Sequence, residues 1–532
     1  MSNSRKEHEP THQPKYHKGD SFGLSGTSDP AEANFDSVDP READDEALKA
    51  LLSSGLIVGP DPTILDDIRE EEDPAQVLAN QVALDAEVEK IYTKIVARAP
   101  EHKVQPSLDR VRQCLDLLGN PQNAFRAVHI TGTNGKTSTA RMVEALLRER
   151  GLRTGRFTSP HLNSVRERIT IDGVAISQAD FVETYEELEP VIEFVDERSL
   201  AEGGPRMSFF EVFTVMAYSA FAMAPIDVAV IEVGMGGEWD ATNVIDADVA
   251  MLMPVAVDHE RWLGSTPAEI AREKLGIVKR DSVLVCAPQL PEVMELVNER
   301  VEKQRASLLL EGRDYGVLSH EPAVGGQMIS ARTPSAVYED VPLAMMGEYQ
   351  AHNAAAALTA AEAIFSGGAI PAEVVEHALM GTTSPGRMEI IKGSPVVIVD
   401  AAHNPAGAIA TVDALEEYFS GPRVAVYSAM ADKDIDGVLG VLEPAFAAIV
   451  VTQMPTDRAA DIDDLYEMAR EVFGEDRAYE ESDLAEAITH AADLAETVDP
   501  EAVAPAQVVV LGSIQLAAEA RALLGAKRPD GV

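Results

Sequence analysis

Apolar and polar positions alternate along this chain in a repeating order: a short apolar run, a polar break, then a stretch with helical spacing. The short runs read as buried strands and the 3.6-residue stretches as helices. The clearest unit starts at Ala127, Val128 and Ile130 and passes through Gly132-Thr133-Asn134-Gly135-Lys136-Thr137. It continues as a helical pattern from Ser138 to about Arg150, stopped by Gly151. Upstream, residues 81–97 read as a helix, and Ser107 fits the N-cap of another over 108–118, which ends at Gly119-Asn120-Pro121. Downstream, Arg156-Phe157 lead into Thr158-Ser159-Pro160-His161-Leu162, and an apolar helix over 209–224 carries one acid, Glu211. A strand over 227–232 ends in Val233-Gly234-Met235-Gly236-Gly237, and a strand over 249–257 delivers Asp258-His259. A helix over 267–279, a strand over 282–287 and a helix over 291–306 follow. A less regular, strand-like stretch runs to Leu343, before an alanine-rich helix over 351–364 that carries Asn353.

The pattern restarts near Ser384-Pro385-Gly386-Arg387. A strand over 396–399 ends in Asp400-Ala401-Ala402-His403-Asn404-Pro405, with a helix to Phe419. Strands over 424–428, 448–452 and 507–511 alternate with helices, the pattern of a second doubly wound sheet. The expected fold class is therefore α/β, with two α/β domains meeting across a cleft near residue 385. The expected division is a tail over 1–80, a phosphate-binding domain over 81–384 and a second domain over 385–532. The first forty residues, rich in Ser, Pro, His, Asp and Glu, predict disorder. His8, His12 and His17 read as solvated side chains in that tail, and residues 45–56 carry a short amphipathic pattern.

The strand–glycine turn–helix unit is the order that a triphosphate cradle requires. Glycines let backbone N–H groups turn onto phosphate oxygens, and the helix N-terminus adds partial positive charge. Lys136 is placed to neutralise β- and γ-phosphates, and the Thr137 hydroxyl to reach a Mg²⁺ bound to them. The loop departs from the common phosphate-loop spacing, with two residues instead of four between Gly132 and Gly135-Lys136. The Gly-Met-Gly-Gly run lacks the spacing of a dinucleotide fingerprint. Ser159, Glu232, His259, Lys274, Asp400 and His403 stand in or just after breaks that follow strands. Singly, each has a plain reading: Glu232 a cap on the glycine turn, His259 a core histidine, Lys274 half of a pair with Glu273. Together, beside a phosphate loop, they mark one site.

Composition narrows the class. Across 532 residues the net charge is −45, which argues against a nucleic-acid partner. Apolar residues make up 45% without a run of membrane-spanning length, and the N-terminus lacks the apolar core of a secretory leader. The two cysteines, Cys114 and Cys286, fall in apolar patterns and read as buried thiols. A cytoplasmic protein is expected, with no membrane partner.

The stretches VHITGTNGKTST, FTSPHL, VRERI, IEVGMGG..DATNVI, DH...LG.T...IAREKLGIVK, VDAAHNP, ADKD and GSIQLA appear in unbroken order. Over about residues 100–525 the chain thereby resembles the folylpolyglutamate synthase/dihydrofolate synthase family of the Mur-ligase superfamily. The resemblance implies an N-terminal phosphate-loop ATPase domain and a C-terminal Rossmann-like ligase domain, with the active site between them. It implies ATP-dependent ligation of L-glutamate to dihydropteroate and to reduced folates through an acyl phosphate. Bacterial members are often bifunctional, so both acceptors are expected, and a monomer.

By the same resemblance, Thr133, Asn134, Gly135, Lys136 and Thr137 hold the nucleotide with Asn353, Arg387 and Asp400. Thr137, Ser159 and Glu232 hold a Mg²⁺ on the phosphates. His259 and Lys274, the latter carbamylated, serve a second Mg²⁺; a monovalent cation is a further candidate ion. Lys136, Lys274, His259, Asp400 and His403 form the expected catalytic set, and Pro106, Ser107, Phe210, Asp240 and Ala241 the expected acceptor pocket. Departures from the family pattern are Thr137 after the loop lysine, Glu238-Trp239 before DATN, Ala401, and Gly347-Glu348-Tyr349-Gln350. The neighbouring reading is a cell-wall precursor ligase of the same superfamily, opposed by the SPHL, DATN and AAHNP stretches. A regulatory ATPase, the reading from another class, leaves Asp400 and His403 without a task.

Overall fold

The computed structural model describes residues 74–98, 107–498 and 504–526. Residues 1–73 of the expected 1–80 tail, its histidines, the 45–56 pattern and Pro106 lie outside the described residues, while 74–80 are helical. The first described helix, Pro74–Val96, begins earlier than the expected start at Gln81.

Eight strands build the first sheet: β1 (Arg126–Thr131), β2 (Thr154–Phe157), β3 (Ile169–Ile171), β4 (Val174–Ala175), β5 (Val228–Glu232), β6 (Val249–Leu252), β7 (Val283–Cys286) and β8 (Ser307–Leu310). Their order is β4-β3-β2-β5-β1-β6-β7-β8. All neighbours pair in parallel except β2–β3 and β3–β4, which are antiparallel. The central strands β5 and β6 are buried along their whole length, which is why they read as unbroken apolar runs rather than alternating ones.

One face of this sheet is covered by the helix Lys136–Glu149, backed by the helix Glu348–Ile364. Small side chains at Ala354, Ala355, Ala357 and Ala361 let that second helix approach closely, and all four are buried. The other face takes the helix Phe209–Met223, apolar on every side because helices Asp109–Leu117 and Gln178–Ala201 enclose it. Phe213 and Phe221 are fully buried there, worth roughly 1.5–3 kcal/mol each against exposure. The helix Gln178–Ala201, which begins at the Ser177 cap, had no counterpart in the sequence pattern as read.

Several expected boundaries are corrected. The strand expected over 249–257 ends at Leu252, because the chain then bonds to the phosphate loop: the Thr133 N–H donates to Pro254 O (2.9 Å). The helix expected to 279 ends at Lys274 and tightens into a 3-10 turn, Leu275–Ile277. The irregular stretch before Leu343 is an antiparallel three-stranded sheet of β9 (Gly316–Ala323), β10 (Gly326–Arg332) and β11 (Val337–Leu343).

The second α/β unit is a six-stranded sheet: β12 (Glu389–Gly393), β13 (Val396–Val399), β14 (Arg423–Tyr427), β15 (Ala448–Val451), β16 (Ala478–Glu480) and β17 (Gln507–Leu511). The order is β12-β13-β17-β14-β15-β16, parallel but for the antiparallel edge strand β12. Separate apolar clusters fill its two faces, as a doubly wound sheet requires.

In both sheets the chain crosses over a strand that it fills later: β5 lies between β1 and β2, and β17 between β13 and β14. The loops after β1, β5 and β6, and those after β13 and β14, therefore leave from carboxyl ends beside a change of direction. That is where open α/β sheets place their ligands.

Candidate active site

The phosphate loop leaves β1 through two glycines that no other residue replaces easily. At Gly132 a Cβ would stand 2.6 Å from Met253 Cβ. Gly135 has φ +86°, and a Cβ there would meet Asn353 Oδ1 at 2.8 Å. Thr133 pins the loop sideways: its hydroxyl donates to Ala256 O (2.8 Å) and accepts from the Ala256 N–H (3.0 Å). Lys136, the first residue of the helix, curls back and donates to Gly132 O and Thr133 O, both at 3.1 Å. Burial pulls its pKa down, against the opposing charges of Glu232 and Asp258.

Glu232 ends β5 beside this helix and is 1% exposed. The Thr137 hydroxyl donates to it, at 2.9 and 3.0 Å to the two carboxylate oxygens. Burial raises the Glu232 pKa, opposed by Lys136, by Thr137, by Arg387 and by the Ser159 N–H. Ser159 is buried alongside, and Arg387, Thr137, Thr158 and Leu162 line a small cleft. The reading of Glu232 as a cap on the glycine turn gives way to a carboxylate turned toward the phosphate loop.

Lys274 closes the helix Pro267–Lys274, and its ammonium nitrogen donates to Gly132 O at 2.8 Å. Burial, reinforced by the charge of Lys136, pushes its pKa down to about 7. It is not half of a surface pair. His259 has φ +55° and opens a short helix, Glu260–Leu263, whose Trp262 is 37% exposed. Burial pushes the His259 pKa down to about 4. Trp239, in the loop after β5, donates its backbone N–H to Glu273 Oε1 (3.1 Å).

The second sheet meets this edge through the loops after β13 and β14. Asn404 and Asn134 exchange side-chain hydrogen bonds, both 3.2 Å. His403 Nε2 lies 3.3 Å from Asp258 Oδ2, and Lys433 Nζ donates to Asp258 Oδ1 at 2.6 Å. Asn353 donates to Gln350 Oε1 (3.0 Å), Gln350 to the Ser138 hydroxyl (3.4 Å), and Ser138 to the Ser384 hydroxyl (3.0 Å). Asp400 sits at the end of β13, but its carboxylate is engaged within its own domain. It accepts from the N–H groups of Met388 and Ala402 (both 2.8 Å) and from the Thr411 hydroxyl (3.0 Å).

The structure thus gathers Thr133, Asn134, Gly135, Lys136, Thr137, Ser159, Glu232, His259, Lys274, Asn353, Arg387 and His403 at the facing carboxyl edges. The expected acceptor residues divide. Phe210 and Asp240 share the glycine loop after β5: a Cβ on Gly234 would stand 2.5 Å from the Phe210 ring, and Asp240 accepts from the Met235 N–H (2.9 Å). Asp240 also caps the 3-10 turn Ala241–Val244, where Ala241 is buried. Ser107 accepts from the Asp109 N–H (3.1 Å), but the N-cap position of the helix Asp109–Leu117 is Leu108, one residue later than expected, without a side-chain cap. The interdomain contacts of Asp258, Asn404 and Lys433 escaped the sequence reading. Their signal was present in the DH, AAHNP and ADKD stretches, but pairing across two sheets leaves no spacing to read.

Residues 386–513 match the family model described as "Mur ligase, glutamate ligase domain". The chain is 46% identical over 447 residues to the dihydrofolate synthase/folylpolyglutamate synthase of Mycobacterium tuberculosis, covering 80% of this chain and 92% of the relative. A crystal structure of Mycobacterium tuberculosis folylpolyglutamate synthase complexed with ADP and AMPPCP superposes with a TM-score of 0.80. It is 44% identical and covers 84% of this chain and 100% of its own. An FPGS–AMPPCP–folate complex, 30% identical, covers 81% of this chain and 99% of its own with a TM-score of 0.69. With that extent of likeness, and with the phosphate loop closed against the second sheet, the chain belongs to the dihydrofolate synthase/folylpolyglutamate synthase family of carbon–nitrogen ligases.

Proposed function

We propose that this protein uses ATP to join L-glutamate to dihydropteroate, making dihydrofolate, and to reduced folates, lengthening their glutamate tails. The observation that carries this reading is the Asn134–Asn404 contact, which seats the second sheet's AAHNP loop on the phosphate loop. A carboxylate is a poor acyl donor. Transfer of the γ-phosphoryl group to it gives an acyl phosphate and ADP; the glutamate amine then attacks, and the tetrahedral adduct loses phosphate to leave an amide. Such chemistry asks the protein for positioning and charge neutralisation.

Lys136 and Arg387 supply fixed positive charge beside the loop, and the Gly132–Gly135 backbone supplies phosphate donors. Asn353, packed against Gly135, fixes the loop's approach, and His403 faces the same cleft. Thr137, Ser159 and Glu232 offer hard oxygen donors beside one another, which suits Mg²⁺ bound mainly through phosphates and water. Among the described residues no three His, Cys, Asp or Glu side chains group together as a metal cage. An ion held by these residues would supply neutralisation of charge on the transferring phosphoryl group.

Lys274 as an ammonium cannot ligate a cation. With a pKa near 7 a large fraction is free amine at neutral pH, and addition of CO₂ with loss of a proton would give a carbamate oxygen ligand. With His259 it would then hold a second ion; a monovalent cation completes the proposed set. Asp400 acts through the loop it clamps. Phe210, Asp240 and Ala241 form the acceptor side with Ser107. The domains divide as 81–384 and 385–532, and the protein acts as a cytoplasmic monomer on small molecules alone, without nucleic acid or membrane. Among the described residues no helix is long and apolar enough to cross a membrane.

The test is phosphate release from ATP with glutamate, comparing dihydropteroate with tetrahydrofolate, with product masses. Release with both, each product heavier by one glutamate, is expected. Release with tetrahydrofolate alone would leave a dedicated polyglutamate synthase and point to Glu238-Trp239 as the exclusion; release with neither would remove the ligase reading. Lys274→Ala is expected to abolish turnover at saturating Mg²⁺, and near wild-type turnover would remove the carbamate.

A further inference from the structure

Asp258 follows β6 in the first unit, yet most of its hydrogen-bonding partners come from the second. Lys433 donates to Oδ1 at 2.6 Å, Asn404 donates to Oδ2 at 3.2 Å, and His403 Nε2 stands 3.3 Å from Oδ2. From its own unit the carboxylate receives the His259 N–H at 2.7 Å. The Asp258 and Lys433 side chains are 8% and 10% exposed, so the pair is withdrawn from water. Asn404 extends the contact to Asn134 in the phosphate loop. It also caps the helix Pro405–Tyr418, accepting from the Gly407 N–H at 2.8 Å. One carboxylate thus joins the loops after β6, β13 and β14, with the phosphate loop one residue further on.

We propose that Asp258 is a latch: paired with Lys433, it holds the two α/β units together and presents His403 and Asn404 to the phosphate loop. Opening the cleft would strip the carboxylate of Lys433, Asn404 and His403 in one movement, which makes the contact cooperative. Withdrawing this charge pair from water is offset by its short contact and by the hydrogen bonds that Asn404 and the His259 N–H give the same carboxylate, so closure is favoured. The side chain acts through Lys433 and His403 and is a positioning residue. Its loss lowers the closed fraction, and apparent affinity falls by that fraction while saturating substrates still close the cleft.

The direct test is an interdomain distance distribution, measured without substrates by spin labels on Glu183→Cys and Glu471→Cys. Both positions are exposed, whereas the native Cys114 and Cys286 are buried. Asp258→Asn and Lys433→Gln are each expected to lengthen and broaden the distribution. The double variant should open no further than the wider single, and Lys433→Arg should stay closed. An unmoved distribution in either single variant, or a double variant that opens by the sum of the two, overturns the latch. Should Asp258→Asn fail to fold, Asp258→Ala takes its place, judged by the same criteria.

The kinetic arm rests on the ligase reading. KM for glutamate is expected to rise roughly 5–150-fold with kcat held within a few-fold. A fall in kcat at unchanged KM would make Asp258 part of the chemistry instead and overturn the latch. If no acceptor supports phosphate release from the wild type, the ligase reading fails while the distances still decide the latch.

Discussion

At the scale of single residues, backbone conformation and burial decide more than side-chain identity. Gly135 is needed because its φ of +86° is costly for any residue with a Cβ, and because the added atom would meet Asn353. Gly135→Ala should therefore weaken ATP binding by tenfold or more while leaving the melting temperature within a few degrees; calorimetric titration with ATP checks it. His129 behaves differently. It is buried in β1 against the Thr242 hydroxyl (2.8 Å), and burial pushes its pKa down to about 3. Unfolded, it takes a proton near pH 6.5, so between these values the unfolded chain binds more protons. The stability of the neutral ring is complete above pH 6.5 and falls as the pH drops toward 3, by about 2 kcal/mol at pH 5. Urea unfolding of the wild type and of His129→Gln at pH 7 and pH 5 should show a shallower loss in the variant. The phosphate loop was legible at this scale because glycine spacing, lysine and threonine are local. Asp258 was not, because its partners Asn404 and Lys433 lie far along the chain.

At the scale of elements, the alternation of strand and helix was readable wherever a strand is buried on both faces, as in β5, β13 and β17. It failed where a segment's partner sets its conformation. Residues 253–257 have apolar character but bond to the phosphate loop instead of extending β6. The helix Gln178–Ala201 carries a long run of acids that hides its apolar face, although Ser177 caps it. Burial of ion pairs between elements is equally invisible in the sequence. Arg156 on β2 donates to Glu144 of the helix Lys136–Glu149 at 2.6 Å, with side chains 3% and 2% exposed. Thr170 of β3 and the Gly173 N–H bond to the same carboxylate, both at 3.1 Å. Glu144→Ala should cost about 3–5 kcal/mol, read from the urea midpoint, because it removes the carboxylate from a buried guanidinium.

At the scale of the whole molecule, the fold class followed from two alternating series and a restart near residue 385. Sheet order did not, since β5 and β17 insert between strands that precede them. The net charge of −45 also acts at this scale. Self-repulsion among surface acids weakens as the Debye length shortens from about 30 Å at 10 mM salt to about 8 Å at 150 mM. The melting temperature should rise over that interval; a fall would mean that surface ion pairs outweigh repulsion. The chain's two tryptophans bring this scale back to the cleft. Trp239 is tied to Glu273, the neighbour of Lys274, and Trp262 stands partly in water three residues after His259. The molecule therefore carries its own optical gauge: intrinsic emission, excited without any dye, should shift when nucleotide fills the loop, and each tryptophan can be silenced in turn to say whether the loop after β5 or the loop after β6 has moved.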